Sequence, residues 1–485
     1  MKTVDLHLFL TSYLLAAAAL AVAQSLHRRQ IRFLVPIVVA LSLISLNTMV
    51  GGRVDPARDY LGLLRYLIRE RDMSSLIALG MGFAVASAWI PGCLAKDAAT
   101  SKTNRSWFEP LLLTMSMLVI VGASHLFLWK EILGVTRHAV AMFHPEFTLE
   151  KIATLAEQPL RLAVSEEGDV LICYDYFRKH GAIGGAILRL QPDEITGEYA
   201  QKTIAEAPLL ARPYGLAIRD GDLYVSRSGF FPRANAGTVT YATTGAITQL
   251  KDLDGDGYYE FSHDVVTNLP GIRAPDTMQQ NNGIAFAPDG SLFVTCAGAA
   301  DRTLDEHPWG GTILKYSRDF TNPEVFAKGF RNPWAMAFGP DDALFATDSD
   351  VDQNPGDELN HIVQGAHYGH PFVLPNEPDV TSIGFQAPIL VGERETVFLG
   401  ITYATSPNLP ADCRNCLYVT DFRQNRVLRV RLEKDGDTYR VTAVDPFASV
   451  PSPVDIASTP SGDFFVISRR AQNVYRIRPK LADRE

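Results

Sequence analysis

The chain has 485 residues and carries 45 Lys and Arg residues against 54 Asp and Glu residues, a formal net charge of −9 at pH 7. It is too long for one ordinary domain, and its acidic balance argues against nucleic acid as a partner. The charge is unevenly divided, because residues 1–146 hold 14 Lys and Arg against 9 Asp and Glu, whereas residues 147–485 hold 31 against 45. We therefore predict two domains, 1–146 and 147–485.

The first domain contains four long apolar runs. They are Leu6–Ala23, Phe33–Met49, Ser74–Cys93 and Pro110–Trp129. Each is close to the ~20 residues that a helix needs to cross a bilayer. The first run lacks the basic start and cleavage site of a signal peptide. These features predict an all-α transmembrane region of four helices, surrounded by membrane lipid.

The charges of the connecting loops favour the two possible orientations of these helices almost equally. Basic residues between 28 and 32, and between 96 and 105, favour a cytoplasmic position for the first and third loops, with both termini outside. The second loop is also basic, but YLGLLRYLIRERD (60–72) has the pattern of an amphipathic helix lying on the interface. We place the second domain outside.

Residues 147–485 repeat a short apolar strand, a turn with Asp or Gly, and a second strand. The six copies cover 162–174, 215–228, 283–296, 335–348, 402–421 and 455–468. Successive copies are separated by 52, 68, 52, 67 and 53 residues. These intervals are measured between the equivalent positions Ala163, Gly215, Gly283, Ala335, Thr402 and Asp455. A further strand follows each copy, which in the second is GTVTY (237–241). This period predicts an all-β six-bladed propeller, closed by a strand in FTLEKIATLA (147–156).

Three motifs in this domain resemble the glucose/sorbosone dehydrogenase family. They are GFRNPWAMAFGPDDALFATDSD (329–350), GDELNHIVQGAHYGHP (356–371) and RPYGLA (212–217). The resemblance extends over about residues 150–480. It implies a six-bladed propeller that uses pyrroloquinoline quinone and calcium to oxidise sugars outside the cytoplasm. It also favours a multi-pass protein of a bacterial inner membrane, with the propeller on the periplasmic side.

The resemblance assigns residues to the cofactor. Pyrroloquinoline quinone carries carboxylates and an ortho-quinone, and it needs cations, hydrogen-bond donors and a base that takes a proton from the sugar. Arg331 and Asn332 match the family residues that contact the quinone. Arg423 stands where the family has a lysine that binds it, and arginine keeps the charge with another donor geometry.

The chain also departs from the family pattern. The family's catalytic histidine aligns with about Gln279, and glutamine is no general base near neutral pH. Ser452 and Val454 stand where the family has two arginines that neutralise cofactor carboxylates. His307 is a possible substitute base. The other histidines that we considered are His263, His361, His367 and His370.

DLDGDGYYE (252–260) is the first candidate metal loop. Asp252, Asp254, Asp256 and Glu260 supply oxygen ligands at a spacing that suits calcium, and the carbonyl of Tyr258 adds another. We expect a structural calcium ion here. The alternative is a solvated acidic turn.

TDSDVDQNPGDELN (347–360) is the second candidate. The family places calcium beside the quinone in this blade, and Asp348, Asp350 and Asp357 are the corresponding acids. The alternative is that Asp357 and Glu358 only pin the loop. Further along the chain, the pair Cys413 and Cys416 is either a local disulfide or two free thiols.

Three functions remain open from the sequence. The first is a membrane-anchored quinoprotein that oxidises a sugar or sugar aldehyde and passes electrons to the respiratory chain through a membrane quinone or a cytochrome. The second is a non-catalytic binding or assembly propeller, suggested by the departures above. The third is a calcium-dependent, lactonase-like hydrolase, suggested by Asn281 and Asn282 of NNGIAFAPDG.

Overall fold

The computed structural model describes most of one compact unit, Arg137–Glu485. The described residues are 140–165, 168–175, 184–192, 199–207, 210, 212–227, 245–271, 281–298, 307–349, 356–373, 384–394 and 396–480. The four predicted membrane spans lie outside these residues. Within them, no helix has the length and apolar character needed to span a bilayer.

The described residues form 25 strands. In chain order they are β1 (Ala141–Met142), β2 (Phe147–Thr154), β3 (Pro159–Val164), β4 (Val170–Asp175), β5 (Gly185–Pro192), β6 (Tyr199–Ala207), β7 (Pro213–Arg219), β8 (Asp222–Arg227), β9 (Gly245–Lys251), β10 (Phe261–Leu269), β11 (Asn281–Phe286), β12 (Leu292–Cys296), β13 (Thr312–Tyr316), β14 (Glu324–Lys328), β15 (Pro333–Phe338), β16 (Leu344–Asp348), β17 (Glu358–Ile362), β18 (Leu390–Val391), β19 (Phe398–Ala404), β20 (Cys416–Asp421), β21 (Arg426–Asp435), β22 (Thr438–Ser449), β23 (Pro453–Ser458), β24 (Phe464–Ser468) and β25 (Asn473–Pro479). Two short 3-10 turns, Pro340–Asp342 and Ala411–Cys413, lie between strands.

These strands make six antiparallel sheets, which are the blades of a propeller. The first four blades are β3–β6, β7–β10, β11–β14 and β15–β18. The fifth is β19–β22 with β1 at its outer edge, and the sixth is β23–β25 with β2 at its outer edge. The predicted six-bladed propeller is therefore confirmed.

The ring is closed by a strand from the start of the domain. β2 pairs antiparallel with β25, in a register that sets Phe147 opposite Pro479 and Thr154 opposite Asn473. This is the closing strand predicted in residues 147–156. One blade is thus built from both ends of the domain, which closes the ring by joining the two ends in one sheet.

The inner strands approach one another closely around the axis. A Cβ atom on Gly283 of β11 would lie 2.8 Å from the carbonyl oxygen of Trp334 on β15. A Cβ on Gly400 of β19 would lie 2.5 Å from the Cα of Asp455 on β23. Both approaches require glycine, because any larger residue would push backbone away from backbone.

The second strand of each of the last four blades lies wholly inside the core. Every residue of β12, β16, β20 and β24 is buried. Strands buried on both faces read as continuous apolar runs, as LFVTC and FFVIS do. Cys173 on β4 and Cys296 on β12 are both 0% exposed, as expected of small core residues.

The blades share one orientation, which defines two faces. The first strands of all blades start at one end of the axis, so the turns between second and third strands lie at that end too. We call this end the mouth face; it includes residues 329–332 and 422–425. The turns between first and second strands, and between third and fourth strands, form the rear face, which includes residues 252–260.

One predicted strand was wrong. The third strand of the second blade is β9, which pairs with β8 and with β10. The prediction had placed it at GTVTY (237–241), which lies outside the described residues. Both segments follow a glycine and contain β-branched residues, so the pattern alone does not separate them.

Candidate functional site

The Gly-Phe-Arg-Asn-Pro segment enters the first strand of blade four on the mouth face. The backbone N–H of Arg331 donates to Asp348 Oδ2 at 3.1 Å, and that of Asn332 donates to Asp348 Oδ1 at 2.6 Å. Asp348 ends β16 and is 3% exposed. Because hydrogen bonds to a buried carboxylate are strong, the turn is held firmly and its side chains start from a fixed backbone.

The same arrangement recurs in blade five. Asp421 ends β20, and its Oδ1 accepts the N–H groups of Val397 at 3.1 Å and Gln424 at 3.2 Å. Asp421 is 0% exposed. In both blades, the aspartate at the end of the second strand accepts hydrogen bonds from backbone N–H groups of neighbouring turns. Asp348 therefore has a structural role that Asp421 repeats.

The side chains of the Arg-Asn pair differ in exposure. Asn332 is buried, whereas Arg331 is half-buried and its Nη1 donates to the carbonyl of Ser349 at 3.2 Å. Ser349 directly precedes residues 350–355, which lie outside the described part of the chain. Arg331 therefore stands beside the predicted metal loop.

The described acids of that loop are engaged in protein contacts. Asp357 Oδ2 accepts the hydroxyl of Ser349 at 2.8 Å and the N–H of Phe398 at 2.9 Å. Glu358 Oε2 accepts the amide of Asn360 at 2.9 Å. These are the contacts of a pinned loop. Asp350 lies outside the described residues, so a calcium site here stays a prediction.

Arg161 occupies the axis just below the mouth face. It is 3% exposed, and it donates from Nε to the carbonyl of Tyr214 and from Nη2 to the carbonyl of Trp334. Its guanidinium carbon lies 4.5 Å from the centroid of the Trp334 ring. Nη1 lies 3.9 Å from Asp455 Oδ1 and has no hydrogen-bond acceptor among the described residues.

Arg161 and Asp455 face each other in the buried interior of the propeller. Burial raises the pKa of Asp455, and the charge of Arg161 works in the opposite direction. Asp455 Oδ2 also accepts the N–H of Leu162 at 2.9 Å. The channel floor therefore carries a fixed positive group with an unsatisfied N–H. Sequence reasoning missed Arg161, which only the closed ring brings to the axis.

Arg423 lies on the mouth face, and its role in binding the cofactor stays a prediction. It is exposed in the turn between β20 and β21, and its carbonyl accepts the side chain of Asn425 at 3.2 Å. Ser452 and Val454 are 2% and 0% exposed, so neither side chain is presented to a ligand in solvent. The next turn, between β24 and β25, carries Arg469 and Arg470, which the sequence analysis also missed.

His307 also lies on the mouth face, just before β13. It is 6% exposed, and its Nδ1 accepts the N–H of Trp309 at 3.1 Å. A neutral imidazole has one acceptor and one donor nitrogen, so Nε2 carries the proton in this arrangement. His307 then offers a donor, whereas a substitute base needs an acceptor. The family's base position, Gln279, lies outside the described residues.

Of the remaining candidate histidines, two lie next to the Arg-Asn turn and two lie elsewhere in the propeller. His263 is exposed on β10, the outer strand of blade two. His361 is buried on β17, and burial lowers its pKa. His367 uses Nδ1 to accept the N–H of Gly369 at 3.0 Å. His370 is half-buried behind it in the same loop. His367 and His370 both lie against Gly329, two residues before Arg331: a Cβ atom on Gly329 would overlap His367 Nδ1, and the N–H of His370 donates to the Gly329 carbonyl at 3.0 Å.

The first metal loop gathers three of its four acids. One carboxylate oxygen each of Asp252, Asp254 and Glu260 lie within 4.8 Å of one another. Asp256 is turned to the backbone, where its Oδ1 accepts the N–H of Tyr258 at 2.7 Å. This donor set is the hard-oxygen type that calcium prefers, so three predicted ligands are brought together.

The loop is shaped by two glycines. Gly255 and Gly257 have φ values of 78° and 84°, and their N–H groups donate to the two oxygens of Asp252 at 2.7 and 2.8 Å. Only glycine adopts this conformation without strain. The loop joins β9 to β10 on the rear face, opposite Arg331, which suits a structural role.

Cys413 and Cys416 are free thiols in this structure. Cys413 also lies near His144 and Asp412, a combination that could hold a metal. However, Arg429 Nη1 donates to Asp412 Oδ2 at 2.7 Å and to Cys413 Sγ at 2.9 Å. The guanidinium already supplies the positive charge that a metal would bring.

A separate cavity of about 510 Å³ lies on the rear face, between blades four and five. Tyr403, Tyr439, Asp341 and Lys434 help to line it. Lys434 Nζ donates to Asp341 Oδ2 at 2.6 Å, so these charges are paired. The cavity is remote from the Arg-Asn turn, and we do not assign the chemistry to it.

Comparison with known proteins adds a family to this geometry. The family model described as Glucose / Sorbosone dehydrogenase matches residues 231–476, slightly more than half of the chain. This span includes the Arg-Asn turn, the acidic loops and Arg423. No curated protein sequence matches the chain.

Solved structures with the same fold are numerous. A glucose dehydrogenase-type oxidoreductase from Thermus thermophilus is 23% identical, with a TM-score of 0.54 over 68% of this chain and 100% of its own. The PQQ-bound aldose sugar dehydrogenase of Streptomyces coelicolor is 20% identical, with a TM-score of 0.52 over 70% and 99%. The holo PQQ domain of pyranose dehydrogenase from Coprinopsis cinerea is 11% identical, with a TM-score of 0.54 over 70% and 97%. At these identities the likeness establishes the fold alone.

Proposed function

Because the chain belongs to the glucose/sorbosone dehydrogenase family, we propose that its propeller binds pyrroloquinoline quinone and oxidises a sugar or a sugar aldehyde. The substrate class follows from the family and from the cofactor carried by two structures of the same fold. The mouth face is the proposed site, since ligands of propellers bind where blade loops converge.

The observation that carries the proposal is the set of fixed cationic donors on this face. Arg331 stands on a turn held by Asp348, and Arg423 lies in the neighbouring blade. Below them, Arg161 Nη1 is buried without a hydrogen-bond acceptor among the described residues. A buried N–H group without an acceptor lowers the stability of the fold unless a ligand accepts its hydrogen bond. The residues present therefore fit a flat ligand that bears several carboxylates.

Each group has a definable task in this proposal. Pyrroloquinoline quinone, when bound, would supply an ortho-quinone that is reduced to the quinol by the hydride of the sugar carbon and the proton of its hydroxyl group. Arg331 and Asn332 orient the ligand through N–H donors, while Arg423 neutralises a carboxylate. His307 donates a hydrogen bond from Nε2. We propose calcium at Asp252, Asp254 and Glu260 for stability, and a second ion at the 348–357 loop beside the quinone.

We further propose that the four apolar runs of residues 1–146 anchor the propeller to a bacterial inner membrane. With both termini outside, the propeller lies in the periplasm. Electrons then pass from the mouth face to a membrane quinone or a cytochrome. The length of the runs and the basic loops between them support this arrangement.

A second candidate function is that of a propeller that binds the quinone but does not catalyse sugar oxidation. The geometry of His307 favours this reading, because its Nδ1 is occupied by Trp309 and Gln279 stands where the family has its base. Such a protein would bind the quinone with no reduction by any sugar.

A cofactor titration separates the two. The purified full chain in detergent is titrated with pyrroloquinoline quinone and calcium, and the quinone absorbance is followed as aldoses and sugar aldehydes are added. Bleaching by a sugar, and its loss in an Arg331→Ala variant, supports the dehydrogenase. Binding without bleaching by any sugar supports the binding propeller. Absence of binding overturns both.

A further inference from the structure

Two turns on the mouth face bring three arginines together. Arg423 lies in the turn between β20 and β21, and Arg469 and Arg470 lie in the turn between β24 and β25. The guanidinium carbon of Arg470 lies 5.1 Å from the ring centroid of Phe422, within cation–π range. The two turns are therefore in contact, although 46 residues separate Arg423 from Arg469.

Hydrogen bonds hold these turns in one position. The N–H of Arg469 donates to the carbonyl of Ser452 at 3.0 Å, and the N–H of Ser452 donates to Asn425 Oδ1 at 2.8 Å. Asn425 Nδ2 in turn donates to the carbonyl of Arg423 at 3.2 Å. An unbroken chain of hydrogen bonds thus links the two arginine-bearing turns, and Asn425 is itself buried.

We call Arg423, Arg469 and Arg470 the arginine patch, and within it the charges of Arg469 and Arg470 are not balanced by neighbouring acids of the described residues. Among the described residues, the side chains of Arg469 and Arg470 make no ion pair and no hydrogen bond. Asp421 lies at the base of the first turn, but it is 0% exposed and accepts Arg426 Nε at 3.0 Å. Like charges this close repel one another, so an anionic ligand would relieve an existing cost.

The electrostatics agree with this geometry. Partial burial lowers the pKa of Arg470, and the charges of Arg469 and Arg423 lower it further. The guanidinium nevertheless stays protonated at any physiological pH. The patch is therefore a permanent concentration of positive charge at the rim of the mouth face.

The patch lies beside the positions where the chain departs from its family. The resemblance to the family sets Ser452 and Val454 where two arginines would neutralise cofactor carboxylates. The N–H of Arg469 donates to the carbonyl of Ser452. We propose that Arg469 and Arg470, together with Arg423, form the carboxylate-binding side of the quinone site and replace the cations absent at 452 and 454. This inference rests on the proposed function.

The chemistry of the ligand suits such a replacement. A guanidinium binds a carboxylate through two parallel N–H···O bonds, and its planar fork fixes the plane of the acid. Arg470 is exposed and Arg469 is half-buried, so both guanidinium groups can be reached by a ligand that enters from solvent. With Arg331 in blade four, the cations form an arc over three successive blades.

Equilibrium binding tests this assignment without reference to turnover. Pyrroloquinoline quinone is titrated by calorimetry into the full chain in detergent, for the wild type, Arg469→Gln, Arg470→Gln and the double variant. We expect each single change to weaken binding by about tenfold or more, since each removes a charge-assisted hydrogen bond to a carboxylate. The double lysine variant should recover part of the affinity, because charge is restored without the fork.

Arg440→Gln is the matched control. Arg440 is an exposed arginine on β22 that pairs with Glu433, and its loss removes the same net charge away from the mouth face. It should leave quinone binding unchanged. The dependence of affinity on salt should also be shallower in the double variant than in the wild type.

The outcomes are distinct. Tight binding by the wild type with equal binding by the double variant overturns this inference and leaves the proposed function intact. Weakening in the double variant and in Arg440→Gln alike also overturns it, because the effect is then one of net charge. Failure of the wild type to bind the quinone overturns both.

Discussion

Arg161, on the first strand of blade one, donates a hydrogen bond to the backbone carbonyl of Trp334, on the first strand of blade four. These strands belong to opposite blades of a six-membered ring, so one guanidinium bridges the axis. The same group stacks on the Trp334 ring at 4.5 Å and faces Asp455 of blade six. The interior of the propeller is thus cross-linked just beneath the proposed site.

The first prediction concerns this bridge. Arg161→Met should lower the free energy of unfolding by about 3–5 kcal/mol, because it leaves the buried carboxylate of Asp455 without its counter-ion. Denaturant unfolding followed by tryptophan fluorescence measures the change. The double variant Arg161→Met/Asp455→Asn should be more stable than Arg161→Met alone. A loss below ~1 kcal/mol in the single variant would contradict a bridging role.

The second prediction concerns the Arg-Asn turn. Asp348→Asn replaces a carboxylate that accepts two backbone N–H groups by an amide with one acceptor oxygen. We expect a loss of about 1–3 kcal/mol in stability and weaker quinone binding, since Arg331 and Asn332 lose their fixed backbone. Asp421→Asn is the matched variant in blade five. It should cost similar stability, and it should also weaken quinone binding, because Asp421 accepts the N–H of Gln424 in the turn that carries Arg423.

The third prediction concerns calcium at residues 252–260. Added calcium should raise the melting temperature of the wild type in proportion to the logarithm of its concentration above saturation. Asp254→Asn and Glu260→Gln should weaken this dependence, because each removes a ligand from the three-acid group, whereas the second ion proposed at the 348–357 loop is unaffected. Magnesium at equal concentration should have a smaller effect, since it demands stricter geometry. If the melting temperature did not change with calcium concentration, residues 252–260 would be a solvated acidic turn and not a calcium site.

The fourth prediction concerns acid stability at Asp412. Partial burial by itself raises the pKa of Asp412, but hydrogen bonds from Arg429 and His144 outweigh it and lower the pKa to about 2. The folded pKa is below the unfolded value of about 3.9. The stabilising contribution is therefore complete above pH ~4 and is lost as the pH falls towards 2.

Unfolding measured from pH 5 to pH 2 tests this sign. Asp412→Asn should flatten the decline of stability in that window, while Asp437→Asn, at an exposed turn position, should follow the wild type. Because half of the Asp412 side chain is exposed, solvent screening makes the effect modest. A steeper decline in Asp412→Asn would contradict the assignment.

The fifth prediction separates donor from base at His307. His307→Asn keeps a side-chain oxygen that can accept the N–H of Trp309. If His307 acts as a donor, sugar oxidation should fall by about tenfold or less, whereas loss of a general base costs roughly 10²–10⁴-fold. The pH profile of kcat/KM should keep its acidic limb in the variant. Disappearance of that limb would identify His307 as the base.

The architecture could be predicted from the sequence because its signals are local. Each blade carries its own alternation and turn, so six repeats and a closing strand could be read without long-range information. The failure at GTVTY arose where two glycine-led segments had equivalent patterns. Which of them became β9 was decided by burial of Ala246, Ile247 and Leu250 in the blade, and that depends on neighbours.

The site was less predictable because its parts come from distant points of the chain. Arg161 and Trp334 are 173 residues apart, and no local pattern marks them as partners. Arg469 and Arg470 carried one readable signal, since they directly follow the apolar strand FFVIS in the same kind of turn as Arg423. That signal gains meaning only once blades five and six are known to be neighbours.

The pairing of β2 with β25 joins a strand that is synthesised early to one that is synthesised at the end of the propeller. The strand that completes the sixth blade leaves the ribosome first, and it must wait for about 320 residues before its partner appears. During that interval its edge is open to other chains. A tether that holds residues 147–154 at a fixed place would shorten the search for Asn473–Pro479 when they emerge, so an anchored segment before the propeller would also aid its assembly.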